Sequence, residues 1–411
     1  MLRSGIECIV YKRLLPLALA TFAVGTDGFV IAGLLPAIAQ DLEVSVPAAG
    51  QLVTAFALTL AVAAPVLGWA TSSMDRRKAL ILALILFAIG NAATALGTTY
   101  AAVLTARVIT AAGAGIITSS ASSAAAVISP PERRGRALAF VLGGLTLSSA
   151  IGLPLGTLIG SSDWHITLWA VAALGLVAAL GVAAALPRTM LPATTFRARV
   201  EPLGERRVLG TLAVTMLTLT GAYLLYTYVG AALDDTTGGS GTTLTRVLFV
   251  FGLGVLGGNL LAGRLCDRYP AERLLTGGLA AFTVVLLLAR PAIEHLATTF
   301  VWAAVWGLLV GVPTVLQQHR LVAHAPAATP VLLGLNSSAI YLGIALGGAL
   351  GGLLQKWLSP VWLGVPAAGI TLMALVWTLV SARSGKRVTA ADDPEPATST
   401  GRPQTPDRSN A

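Results

Sequence analysis

Runs of about 20 apolar residues recur along the chain and constrain its fold more than any other feature. A helix needs about 20 mainly apolar residues to cross the hydrocarbon core of a bilayer. Only 11% of the 411 residues are charged, against roughly 25% in an ordinary soluble domain, so a water-soluble surface cannot be built. The runs predict twelve transmembrane helices, at 14–39, 49–71, 79–97, 100–127, 137–160, 165–186, 208–232, 243–265, 274–293, 298–322, 330–354 and 361–382.

The basic residues predict how these helices are oriented. If the N-terminus lies on the cytoplasmic side, every Lys and Arg falls at that end of the spans except Arg107, Arg246, Arg290 and Lys356. Cytoplasmic loops carry such an excess of basic residues. We therefore expect both termini in the cytoplasm of a multi-pass plasma (inner) membrane protein. This placement also rejects nucleic acid as the explanation of the net charge of +9.

A repeated loop divides the chain into two halves. "GWATSSMDRRK" (68–78) follows the second span and "GRLCDRYPAER" (263–273) follows the eighth. Parallel repeats of this kind build transporters with a site near the bilayer midplane. The fold predicted is an all-α membrane protein with two six-helix bundles related as parallel repeats. Its predicted parts are an N-terminal bundle, a cytoplasmic linker, a C-terminal bundle and a disordered cytoplasmic tail, at 1–187, 188–207, 208–382 and 383–411.

Asp27 is the only charged residue between Leu14 and Gln40. It lies about 20 Å from either end of its span at about 1.5 Å per residue, which places it at the midplane. A carboxylate there costs on the order of 3 kcal/mol, so we expect it to face the bundle interior and to mark a substrate or proton path. Burial and a nearby cation shift the pKa of such a carboxyl in opposite directions. The alternative is an acid that only holds neighbouring helices together.

Arg107 is the one basic residue predicted to lie well inside the membrane. Asp27 is the acid at comparable depth, and a pair between them would compensate both charges. The hypothesis is that protonation or cation binding at Asp27 releases Arg107 and shifts the equilibrium between inward-open and outward-open states. The alternative is that Arg107 extends towards the membrane surface or bonds backbone carbonyls.

Four stretches resemble, in order and spacing, the motifs of a transporter family. They are "GTDGFVIAGLLPAIA" (25–39), "GWATSSMDRRK" (68–78), "RVITAAGAG" (107–115) and "SSAIGLPLGTLIG" (148–160). The family is the major facilitator superfamily, in particular its twelve-span drug:proton antiporters, grouped with arabinose-efflux-permease-like and chloramphenicol-efflux proteins. The resemblance covers roughly 14–382. Its departures are Ser72 for the usual loop acid, Thr110 and Ala111 for the usual Gln and Gly, and Leu153 inserted before Pro154.

The resemblance implies roles for three groups of residues. Asp27 stands where the family usually has Glu or Asp, and the fifth span resembles an antiporter helix with Gly152, Pro154 and Gly156. Both loop copies are candidates for gating, although their charges also set topology. The loop residues concerned are Gly68, Asp75, Arg76, Arg77, Gly263, Asp267 and Arg268.

Substrate-cavity candidates come from the second half. Tyr223 and Tyr226 lie three apart and share a helix face, which offers flat amphipathic surface to an organic ligand. Anchoring at the membrane interface is the alternative, and it is favoured for Tyr228. Asn336 and Tyr341 are further candidates, because family proteins often carry polar side chains in the eleventh span.

The expected function is proton-coupled export of small hydrophobic or amphipathic compounds, such as phenicol-like antibiotics, by alternating access. A sugar or other metabolite carrier is the alternative within transport, and a passive channel or membrane-embedded enzyme is more remote. The chain has no G-x-x-x-x-G-K-[ST] phosphate loop, so ATP is not expected to be the direct energy source. It has no histidine spacing suited to a metal and no nucleophile, base and orienting group together, so neither a cofactor nor enzyme activity is expected. The expected partners are the substrate, protons and the lipid bilayer, with a monomer as the working unit.

Overall fold

The described part of the chain forms twelve main helices, of which eleven are long. The computed structural model describes residues 2–130, 133–190, 197, 200–324 and 328–391, except for the side chains of 2–11, 330 and 382–391. Within these ranges there are no strands. The helices are α1 Leu2–Asp41, α2 Val46–Ala70, α3 Arg76–Ala95, α4 Tyr100–Ile128, α5 Arg134–Ile159, α6 Trp164–Ala185, α7 Arg206–Tyr226, α8 Gly241–Cys266, α9 Ala271–Leu287, α10 Leu296–His324, α11 Thr329–Leu354 and α12 Gly364–Ala391.

The predicted fold class is confirmed, with one short helix. Among the described residues, eleven helices are long and apolar enough to cross a membrane. The exception is α9, which has 17 residues and is followed by the one-turn helix Ala289–Ala292. Pro291 has no N–H to donate to the carbonyl of Leu287, which explains why the predicted span 274–293 is divided here.

Side chains in the polar breaks cap the helices that follow. The side chain of Asp75 accepts a hydrogen bond from the N–H of Arg77 at the start of α3, and Ser45, Thr99, Asp163 and Ser240 cap α2, α4, α6 and α8 in the same way. Each cap satisfies an N–H group that has no partner within the helix. The polar breaks in the sequence therefore specify where these helices begin.

The helices form two bundles, α1–α6 and α7–α12, in the two-repeat arrangement predicted. We call the end that carries Arg13, Arg76 and Arg268 the basic face, and the end that carries Asp41 the opposite face. The bundles meet mainly where α2 packs on α11 and α5 packs on α8. Two adjacent glycines allow α11 to pack closely within its own bundle and against the other one. Gly347 lies against the α7 backbone, whereas Gly348 lies against Thr54 of α2.

One π-helical turn interrupts α5. Ser148–Gly152 is π-helical, between α-helical segments Arg134–Leu147 and Leu153–Ile159. Pro154 cannot donate the usual backbone hydrogen bond, and a π turn is one way in which a helix accommodates such a gap. This turn touches both bundles, because Gly152 lies against Thr26 of α1 and the carbonyl of Ser149 lies against Gly252 of α8.

Two predicted boundaries differ from the structure. Residues 383–391 were predicted to belong to a disordered tail, but α12 continues to Ala391. Adding a residue to an existing helix needs no new nucleation, so a polar segment attached to a membrane helix extends it. Residues 392–411 lie outside the described residues. In the linker, α7 begins at Arg206, slightly before the predicted start of the second bundle.

Candidate functional site

Asp27 and Arg107 form a buried ion pair between α1 and α4. Nη1 of Arg107 donates to Oδ1 of Asp27 at 2.5 Å, and Nη2 lies 3.5 Å from the backbone oxygen of Asp27. The side chains are 1% and 0% exposed. The pairing expected from their depth in the sequence is therefore present.

The surroundings compensate the pair only in part. The Phe56 ring centroid lies 4.2 Å from Cζ of Arg107, in the range of a cation–π contact. Asn91 lies beside the Asp27 carboxyl, but its Nδ2 donates to the Phe87 carbonyl at 3.1 Å. Within the described part of the chain, Oδ2 of Asp27 and Nε of Arg107 have no hydrogen-bond partner. Removing either charge leaves the other one buried without a partner, which is costly.

Small residues on α4, the helix that carries Arg107, allow it to pack closely against α2 and α3. Gly113 lies against the α3 backbone at Phe87, and Gly115 lies against the α2 backbone at Ala64. Side chains at either position would push the helices apart, since small residues allow close helix contact in membranes. These glycines are part of the stretch "RVITAAGAG" that the sequence singled out.

Three of the four cavity candidates lie at the boundary between the bundles. Tyr223 and Tyr226 are buried, with ring centroids 5.1 Å apart. Oη of Tyr226 donates to the carbonyl of Phe29 in the other bundle at 3.3 Å. Tyr341 of α11 packs against the apolar core of the N-terminal bundle and also against the core cluster that contains Tyr223 and Tyr226.

Asn336 lies elsewhere. It is 1% exposed, and its Oδ1 accepts a hydrogen bond from Thr215 of α7 at 3.1 Å. A second polar contact in the same bundle joins Nε2 of Gln317 to the carbonyl of Thr211. In this conformation Asn336 therefore holds α11 to α7 inside the C-terminal bundle.

The interpretation of Tyr228 as an interface anchor was wrong. Its side chain is 0% exposed, and its Oη donates to the carbonyl of Gly348 at 2.7 Å. The ring lies against Gly50 of α2 and Gly351 of α11. Both neighbours are glycines, and the absence of their side chains leaves the space that the ring fills. The sequence of the Tyr228 segment alone does not reveal this space.

Sequence reasoning missed an aromatic group on α8 and α10. The Phe251 and Trp306 ring centroids lie 4.7 Å apart, and Tyr226 lies 5.2 Å from Phe251. The close approach of α8 and α10 is explained by two pairs of glycines, each pair four residues apart, that lie against the backbone of the other helix. They are Gly254 and Gly258 on α8, and Gly307 and Gly311 on α10. The G-x-x-x-G pattern is visible in the sequence and is the signal that predicts this contact.

Comparison with known proteins decides the family. The model of the Major Facilitator Superfamily matches residues 17–229 and 211–406. The chain belongs to the Major Facilitator Superfamily. The resemblance found in the sequence motifs is thereby confirmed.

Relatives within the superfamily are aligned over nearly their full length. The chain is 32% identical to the inner membrane transport protein YdhP of Escherichia coli K12, over 90% of this chain and 96% of that protein. It is 33% identical to a chloramphenicol resistance protein of Streptomyces lividans, over 85% of this chain and 93% of that protein. Among solved structures, a bacterial homologue of the human lysosomal transporter Spinster, in an inward-facing and unoccupied conformation, shares the fold. Its TM-score is 0.70 at 18% sequence identity, and the match covers 95% of this chain and 99% of that chain.

The two loop copies of this superfamily member differ in their surroundings. In the first copy, Oδ1 of Asp75 accepts from the N–H of Thr189, and the guanidinium of Arg77 donates to the carbonyl of Ala183 in the last turn of α6. Arg76 is buried and donates to the carbonyl of Ser72 at 2.7 Å. These three bonds join the loop to itself, to the end of α6 and to the segment that follows α6, and none of the three reaches α7–α12. In the second copy, Asp267 stands at the position that Ser72 has in the first copy, and it is exposed at the basic face together with Gly263 and Arg268.

Proposed function

We propose that this chain is a proton-coupled exporter of small hydrophobic or amphipathic compounds that works by alternating access. The observation that carries the proposal is the buried pair of Asp27 and Arg107 in a bundle against which Tyr341 of the other bundle packs. An ionisable group deep in a transmembrane bundle is a functional candidate by default. Here it also lies where the two moving halves meet.

The pair gives protons a way to act on the conformation. Oδ2 of Asp27 has no partner among the described residues and is the oxygen available to a proton. A proton there cancels the carboxylate charge, so the attraction that holds Arg107 is lost. Arg107 then needs another acceptor, and movement between the bundles supplies one. Loss of the proton on the other side of the membrane restores the pair and resets the cycle.

We further propose that this conformation is open towards the basic face. One hydrogen bond joins the bundles near the opposite face: Oγ1 of Thr245 donates to Oγ1 of Thr157 at 3.0 Å. Within the described residues, Tyr226 also bonds Phe29 in the half of the membrane nearer the opposite face, and Asn259 bonds Thr146 farther towards the basic face. The exposed loop around Asp267 lies at the other end. In the proposed cycle, both loop copies close that end when the opposite face opens.

The substrate class follows from the surroundings and from one relative. Tyrosine, phenylalanine and tryptophan rings at the boundary between the bundles offer apolar faces with few polar groups, which suits amphipathic organic molecules. The relative named as a chloramphenicol resistance protein supports antibiotics, phenicols included, as substrates. A sugar or metabolite carrier remains the competing transport function.

Orientation and organisation complete the proposal. The distribution of basic residues supports a cytoplasmic position for both termini, and the inner membrane relative supports the plasma membrane as the location. Residues 1–187 and 208–382 are proposed as the two moving bundles, joined by the linker 188–207 and followed by a cytoplasmic tail. One chain contains both halves of the site, so a monomer suffices.

Transport by purified protein in proteoliposomes tests the proposal. The assay compares chloramphenicol, a permanently charged dye and D-xylose as substrates, with and without an acidic vesicle interior. We expect chloramphenicol to accumulate only when the gradient lets protons leave as the compound enters. Equal uptake without any ion gradient, or accumulation of the sugar alone, would contradict the proposed function.

A further inference from the structure

Six aromatic side chains form a continuous group across the bundle boundary. We call this group the aromatic cluster; its members are Phe29, Tyr223, Tyr226, Phe251, Trp302 and Trp306. Ring centroids of neighbours lie between 4.7 and 6.4 Å apart. Most of its rings belong to α7, α8 and α10, whereas Phe29 belongs to α1, two residues beyond Asp27.

The two tryptophans of the cluster differ in one respect. Nε1 of Trp302 donates to the carbonyl of Val285 on α9 at 2.9 Å, so its N–H is satisfied. Nε1 of Trp306 is buried and has no acceptor among the described residues, and the side chain is 1% exposed. Buried indole N–H groups usually have a partner. An unsatisfied donor in a well-packed cluster is therefore a candidate contact for a ligand.

The depth and position of Trp306 fit a ligand site. Trp306 lies about ten residues from the start of α10, and Phe251 about ten from the start of α8, so both lie roughly 15 Å below the opposite face. Tyr226 contacts Trp306 at 6.1 Å and also bonds Phe29 of the other bundle. Separation of the bundles breaks that bond and uncovers the cluster from the boundary.

The charges nearby determine which ligands the cluster accepts. Among the described residues, the fully buried charged side chains are Asp27, Arg76 and Arg107. Arg76 belongs to the loop at the basic face, and the other two neutralise each other. A permanently charged ligand would enter this region without a counter-charge, which is unfavourable in apolar surroundings.

We propose that Trp306 is the hydrogen-bond donor of a subsite for uncharged aromatic compounds that carry an acceptor oxygen, such as a carbonyl or nitro group. The ligand ring stacks on the rings of the cluster, and the indole N–H donates to its oxygen. This inference rests on the proposed transport function, because it names the class of substrate.

Binding to purified protein in detergent tests the subsite without requiring transport. The variant is Trp306→Phe, which keeps an aromatic ring and removes the donor; the matched control is Trp302→Phe. The probes are radiolabelled chloramphenicol, an uncharged aromatic compound with nitro and amide oxygens, and tetraphenylphosphonium, a permanent aromatic cation without an acceptor. We expect Trp306→Phe to weaken chloramphenicol binding about 3- to 10-fold, the value of one hydrogen bond.

A second readout separates ligand binding from a structural role. Both substitutions lose the same side-chain volume in a packed cluster, but Trp306→Phe also removes an unsatisfied buried donor, so it should melt at a higher temperature than Trp302→Phe. Trp302→Phe leaves the Val285 carbonyl without its donor and should melt lower. Unchanged chloramphenicol binding in Trp306→Phe, or a melting temperature as low as that of Trp302→Phe, would overturn the assignment.

The two proposals fail in different ways. Wild-type protein that binds tetraphenylphosphonium and not chloramphenicol, or binds neither probe, overturns the subsite as assigned. That outcome leaves the proteoliposome assay free to show gradient-driven transport of another compound. Binding as expected, together with no gradient-driven accumulation of any compound, supports the subsite and overturns proton-coupled transport.

Discussion

At the scale of single residues, Asp27 and Arg107 were predictable and their environment was not. A single acid and a single base at the same depth in an apolar sequence are expected to pair, because an unpaired charge buried in the membrane is energetically costly. Asn91, Phe56 and Tyr341 approach the pair from three other helices. Contacts of this kind depend on how helices are rotated and packed, which the residue order alone does not reveal.

The pair predicts an unusual pattern of stabilities. Arg107→Met leaves the Asp27 carboxyl buried without its cation, and we expect the free energy of unfolding to fall by about 3 kcal/mol. Adding Asp27→Asn removes that charge, so the double variant should recover much of the loss. Thermal unfolding in detergent measures both. Arg246→Met, at an exposed position on α8, is the control and should change little.

The order of stabilities is the decisive result of that comparison. A double variant that is no more stable than Arg107→Met would mean that Asp27 does not depend on Arg107 for its charge compensation.

At the scale of helices, the sequence predicted the elements well and their contacts incompletely. Apolar runs and capping residues located the helices, because both signals are local. The π turn at Ser148–Gly152 was not predicted, although Pro154 and the flanking glycines suggested a bend. Which glycine meets which neighbour was also not predicted, since a glycine in a lipid-facing position and one in a contact are identical in sequence.

Two adjacent glycines of α8 test the helix contacts. A Cβ at Gly258 would clash with the backbone carbonyl of Leu308 on α10, which cannot rotate away, whereas a Cβ at Gly257 meets nothing within 4 Å. We expect Gly258→Ala to lower the free energy of unfolding by roughly 1–3 kcal/mol, the usual cost of overpacking. Gly257→Ala should be neutral or slightly stabilising. Thermal unfolding of the two variants side by side measures the difference, and equal stabilities would contradict the α8–α10 contact described here.

At the scale of the whole molecule, the repeat and its two bundles could be predicted from the duplicated loop. The conformation could not, because one sequence serves every state of a transport cycle. The bundles are held together between the middle of the membrane and the opposite face by the contacts of Thr157 with Thr245 and of Tyr226 with Phe29. Alternating access requires that these contacts break in the other state.

Cysteine cross-linking tests that requirement. In a protein with Cys8 and Cys266 replaced by Ser, Thr157→Cys with Thr245→Cys places two thiols where hydroxyl oxygens lie 3.0 Å apart. We expect oxidation to cross-link α5 to α8 and to stop transport, and reduction to restore it. The control pair is Ala88→Cys with Gly175→Cys, within one bundle, where the Cβ atoms lie about 3.7 Å apart, within disulfide reach. Full transport by the oxidised Thr157 and Thr245 pair would contradict bundle separation at the opposite face.

The central claim is that protonation of Asp27 couples transport to the proton gradient. The most direct measurement is gradient-driven accumulation in proteoliposomes by Asp27→Asn, with Asp234→Asn, at an exposed position near the opposite face, as the matched control. We expect Asp27→Asn to equilibrate the substrate without concentrating it, while Asp234→Asn accumulates it as the wild type does. Accumulation by Asp27→Asn to the wild-type level would contradict the account.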